Sequence, residues 1–146
     1  MIDDNTLEAL KRVLVKNISA LVQYGTVIER IRDERLVELI GRIVDVRRGF
    51  LQDSHKKLRA EGVDISPIYD NISVMPPWMD FSGYKEGSPL HGIIDECLRG
   101  EQVSVKDYKS ILTDYNLPEH IESMLVEHSN RIHGFIIEME DMVELY

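Results

Sequence analysis

Carboxylates and imidazoles spaced along long helices can hold a pair of iron or manganese ions, because hard cations prefer carboxylate oxygens and a neutral imidazole completes each side. Inside a helical bundle such a centre takes one Glu from each of two helices and a Glu-x-x-His from each of the other two. The chain meets that pattern only in fragments. Leu125 stands three residues before His128, Gln52 stands three before His55, and no Asp or Glu occurs between Glu8 and Glu29. The candidate metal ligands that remain are Asp53, Glu101 and His128, with Gln52 or His55 as further donors. They are too few for a binuclear site. The first expectation is therefore no cofactor, with iron or manganese at a nonstandard site as the alternative. Asp53 and His128 both continue apolar seams, so they are expected to face each other and fix helix register, since a buried polar group without a partner costs about 1–3 kcal/mol. Glu101 is expected to pair with a basic group such as Arg47, or to lie exposed at a bend.

Other reactive types carry less. Cys97, the one cysteine, sits on an apolar helix face with nothing nearby in sequence to stabilise a thiolate, and reads as a small core residue. His91, His120 and His133 fit no metal spacing and read as surface groups. Met124, Met139 and Met142 read as core filling. The chain has no glycine-rich phosphate loop and no Ser/His/Asp arrangement.

The elements that must position these side chains are long amphipathic helices. From Asn116 to Tyr146, the residues Ile121, Leu125, His128, Ile132, Phe135, Met139, Met142 and Tyr146 recur at helical spacing. Pro118 opens that helix, which is placed at 118–145. In the first helix, placed at 5–30, Leu7, Leu14, Leu21 and Ile28 repeat at seven beside Leu10, Asn17, Tyr24 and Ile31, with Asn5 and Glu8 in capping-box spacing. The second helix, 34–61, turns Leu36, Leu39, Ile43, Val46 and Phe50 inward and stops at Gly62. The third, 88–115, carries Leu90, Ile94, Cys97, Tyr108, Ile111 and Tyr115 on one face, and Gly100 within it predicts either close backbone packing or a bend. Register counted from the turns puts Asn17 level with Arg47, Glu101 and His133, and Asp53 level with Ser104 to Tyr108 and His128.

Between the second and third helices lies a crossover, 62–87, whose prolines and glycines exclude a long regular element. It is not a polar linker. Ile65, Ile68, Tyr69, Ile72, Val74, Met75, Trp78, Met79, Phe81 and Tyr84 must pack along the bundle or against another copy of it, with a helical turn predicted around Trp78 to Phe81. Short turn, long crossover, short turn predicts an all-α, ferritin-like four-helix bundle as one domain over 1–146.

The chain carries 17 Lys plus Arg against 26 Asp plus Glu, a formal charge of −9, which argues against nonspecific binding to nucleic acid or an anionic membrane. With one cysteine, an acidic start at Asp3 and Asp4, and no apolar run of spanning length, a cytoplasmic protein is the expectation.

Two stretches also resemble a known family. Trp78-Met79-Asp80-Phe81 is similar to a Trp-Met-Asp-Leu signature, and Ile93 to Glu101 (IIDECLRGE) is similar to an acidic run ending in Arg-Gly-Glu, with Tyr108 and Leu117-Pro118 at matching spacings. These resemble a bacterial family of four-helix-bundle proteins in the ferritin-like superfamily, described as a domain of unknown function. The resemblance spans nearly the whole chain and implies the fold. It implies no activity. The sequence thus points to a noncatalytic bundle acting through association, most simply as a homodimer whose interface uses Trp78, Met79, Phe81 and Tyr84, the residue types enriched in interface cores. A small-ligand pocket beneath the crossover is a further alternative.

Overall fold

In the two hairpins of this chain each helix folds back on the next, and the signals that start and stop those helices are local. The computed structural model describes residues 2–70 and 78–146. Within them the regular elements are helices: α1 (Asp4–Ile28), α2 (Glu34–Ala60), α3 (Ser66–Asp70), α4 (Leu90–Asp114) and α5 (Glu119–Val143). The fold is all-α.

α1 begins two residues earlier than the Asn5 cap predicts. The Asp3 carboxylate accepts from the Thr6 amide at 2.7 Å, and those bonds hold its carboxyl below the usual carboxylate range. Asp33 caps α2 in the same way, accepting from Leu36 N at 3.0 Å. At the other end of α2, Gly62 takes the left-handed conformation (φ 78°), Val63 N bonds Leu58 O at 2.9 Å and Gly62 N bonds Arg59 O at 2.9 Å. This is the paired closure that satisfies the last helical carbonyls, and it needs a residue without a Cβ. Gly62→Ala is expected to cost about 1–2 kcal/mol, read as a shift of the urea midpoint at unchanged slope.

α1 packs on α2 and α4 on α5, while α2 against α5 and α1 against α4 close the ring. Cross-helix bonds give the directions. Asn17 meets Tyr108 and Tyr24 meets Glu101, so α1 and α4 are antiparallel. Arg42 meets Glu138 and Asp53 meets His128, so α2 and α5 are antiparallel as well. The inward face of α1 is centred on Leu10, Val13, Asn17, Ala20, Tyr24 and Val27, all buried, with Leu7, Leu21 and Ile28 at its edge, and Ile31 just past the helix is buried as well. On α5, Ile121, Leu125, His128, Ile132, Phe135 and Met139 are buried as the spacing requires, while Tyr146 is exposed.

The described parts of the connection from α2 to α4 pack along the bundle, with Ile65 and Ile68 in one core cluster and Met79 and Phe81 in the other. Among the described residues its helical segment is α3, and the backbone at Trp78 to Phe81, where a turn was predicted, is non-helical. Ile72, Val74 and Met75 lie outside the described residues. Residues 78–84 form a strap across α1 and α4. Arg30, in the turn after α1, donates to Phe81 O at 3.1 Å and Tyr84 O at 2.8 Å, Trp78 N donates to Ser19 Oγ at 3.3 Å, and from α4 Arg99 donates to Trp78 O at 3.0 Å. Met79 and Phe81 point inward and are buried; Trp78 and Tyr84 are half-buried. Of the four residues expected at an interface, Met79 and Phe81 are covered by their own chain, while Trp78 and Tyr84 keep part of their surface exposed. α4 runs without interruption through Gly100. A Cβ there would stand 2.6 Å from Met79 Sδ, so the glycine is the notch into which the strap's methionine fits.

Candidate functional site

Six helical residues and one strap residue build a polar centre in the middle of the ring. Arg47 of α2 is 1 % exposed and Glu101 of α4 is 0 % exposed. One guanidinium nitrogen of Arg47 bonds Glu101 Oε2 closely, and Nε reaches Glu101 Oε1 at 3.3 Å, a two-point pairing of planar groups. The remaining donors are directed to Asn17 Oδ1 on α1 and to Ser104 Oγ on α4 at 3.3 Å. Tyr24 donates to Glu101 Oε1 at 2.6 Å, and Asn17 Nδ2 donates to Tyr108 Oη at 3.0 Å. The Trp78 ring closes the strap side with its centroid 5.2 Å from the Arg47 guanidinium carbon, within cation–π range.

The electrostatics follow from burial and from that pairing. Burial works against the Arg47 cation, but the Glu101 carboxylate and its hydrogen bonds outweigh it, so the guanidinium holds its proton more tightly than usual. Burial, then the Glu101 charge, pushes the Tyr24 phenol well up, and burial lifts Tyr108 to about 12 against the opposing pull of Arg47 and Asn17. Cys97 is raised by burial and by Glu101 and Glu96, so it stays a thiol. None of these groups is poised to exchange a proton near neutral pH.

Of the sequence-predicted ligands, the structure brings together Asp53 and His128. His128 Nε2 lies 3.1 Å from Asp53 Oδ2; a carboxylate only accepts, so Nε2 carries the proton and Nδ1 is a bare acceptor. The ring stacks on Phe50 (centroids 3.9 Å apart) and meets Tyr108 edge-on. Glu101 belongs instead to the Arg47 centre. Among the described residues no three His, Cys, Asp or Glu side chains group closely enough to hold a metal ion. The two buried side-chain nitrogens without a hydrogen-bond partner there are His128 Nδ1 and Trp78 Nε1. Sequence reasoning did not assign Tyr24, Ser104 or Trp78 to the centre. Tyr24 stood on the Asn17 stripe and Ser104 one turn beyond Glu101, which was the available signal.

Burial lowers the His128 pKa below 6.5, with the Asp53 carboxylate opposing. The unfolded chain then binds the proton more readily, so the neutral ring's contribution is intact above about 6.5, begins to be lost as pH falls through that value, and is fully lost below the depressed native value. Melting curves between about pH 5 and 7 are expected to flatten in His128→Gln. An unchanged slope would place that pH dependence elsewhere.

Among the described residues no helix is long and apolar enough to cross a membrane. Set against protein-family models, curated proteins and solved structures, the chain matches none of them.

Proposed function

We propose that this chain is a noncatalytic, cytoplasmic bundle of the ferritin-like kind, related to the bacterial family its Trp78 and Glu101 stretches resemble, and that it acts by associating with another protein chain, a second copy in the simplest case. The observation that carries the reading is the state of Glu101. Both of its oxygens are bonded, to Arg47 and Tyr24, so the carboxylate at the bundle's centre faces a fixed organic cation. A guanidinium there neutralises the charge that a metal would otherwise neutralise, and it neither exchanges ligands nor changes oxidation state. Such a centre specifies register and rigidity, leaving function to the outer surfaces.

Light scattering across micromolar concentrations tests the self-association arm: a dimer is the expected result, and a monomer throughout would remove that arm and leave a different partner. A second reading, an iron or manganese site with oxidoreductase or iron-handling activity, draws on the adjacency of Asp53 and His128. Metal analysis of protein prepared with added iron and manganese discriminates. Stoichiometric metal, lost in His128→Ala, would favour the second reading over the first.

A further inference from the structure

The seam between α2 and α5 opens into a cavity of about 280 Å³ whose lining is chemically divided. Val46 and Phe50 give it an apolar wall, and Gly49 leaves the α2 backbone uncovered, with nothing within 4 Å of where its Cβ would stand. Asp45, Asp53 and Glu127 line the same cavity, opposed by Arg131. Asp45 is engaged by Arg48 at 3.6 Å. Among the described residues Asp53, whose side chain is 58 % exposed, is paired with the neutral His128 alone, and Glu127 has no hydrogen bond or ion pair. Arg131, one turn beyond Glu127, offsets one of these charges and leaves the cavity acidic. His128 also lines it, is 2 % exposed, and keeps its Nδ1 without a partner. We propose that this cavity receives a lysine side chain from a basic segment of a partner protein, its aliphatic stem along Val46, Gly49 and Phe50 and its ammonium between Asp53 and Glu127.

Lysine suits the division because it buries a flexible hydrocarbon stem while its charged end stays at a wet, acidic rim. The net charge of −9 favours a cationic partner at long range and disfavours a second copy of the chain at this face. The proposal rests on the association reading and names the partner's chemistry.

The test is a titration of the full chain with a short oligolysine peptide, followed by amide chemical shifts, with oligoglutamate as the opposite-charge probe. Saturable shifts confined to the neighbourhood of Gly49, Asp53 and Glu127 are expected, weakening about tenfold or more in D53N/E127Q and with added salt. Asp95→Asn/Glu140→Gln, the same charge change on other faces, is expected to leave binding unchanged. Both altered pairs are exposed, and superimposable melting curves show that the fold is kept; the reversal Glu127→Lys gives a second route to the same loss. Shifts scattered over the acidic surface, equal weakening by both pairs, or no saturable binding would overturn the proposal. Light scattering on the same samples separates the two readings: a dimer that ignores the peptide retains association and loses the lysine site, whereas a monomer that binds it retains both.

Discussion

Arg47→Met is expected to lower folding stability by about 3–5 kcal/mol, because it strands the Glu101 carboxylate in the bundle's interior with Tyr24 as its remaining partner. Glu101→Leu is expected to cost a similar amount by stranding the guanidinium. The double replacement Arg47→Met/Glu101→Leu removes both charges and fills the space with apolar groups, so it is expected to be more stable than either single variant even though Asn17 and Ser104 lose their bonds to Arg47. Urea denaturation of the four proteins measures the coupling. Strictly additive losses would mean that the two side chains do not act as a pair, and the view of the centre as a register-setting unit would fail.

The second large effect is expected at the strap. Phe81→Ala removes a side chain that is 1 % exposed and packs with its ring centroid 6.1 Å from that of Tyr24, which predicts a loss of about 3–5 kcal/mol. Trp78 is the chain's one tryptophan and lies three residues upstream against Arg47, so its fluorescence reports the strap directly. A red shift of Trp78 emission under native conditions is expected in Phe81→Ala. If stability falls with no change in emission, Phe81 supports the helices without holding the strap down.

These two regions differ in how far the sequence revealed them. Once the turns are located, helical register is arithmetic, and counting from them levels Asn17 with Arg47 and Glu101 and sets Asp53 near His128. Those levels appear in the bonds that join Asn17, Arg47 and Glu101 and in the 3.1 Å contact between Asp53 and His128. His133, placed on the same level as Arg47, is exposed, because level says nothing about which way a side chain faces around the helix. Gly62 was legible for the same local reason, since a left-handed closing residue is a property of the chain at that point. The strap was not. Gly100 allowed either a bend or a close approach, and choosing between them requires knowing that Met79, twenty-one residues upstream, lies across it. The first cap was placed at Asn5, because its spacing to Glu8 suits a capping box, whereas the bond to Thr6 N puts it at Asp3.

The strap's placement also bears on how long the folded molecule lasts. α1 with α2 and α4 with α5 are neighbours in sequence and close small loops, whereas the bond from Trp78 N to Ser19 spans 59 residues and that from Tyr24 to Glu101 spans 77. Hairpins that form early are expected to dock before residues 78–84 seal them, which would put the strap's contacts after the rate-limiting step. Weakening it should hasten unfolding while refolding proceeds at its old pace, which makes a seven-residue crossing the clock that sets the lifetime of the native state.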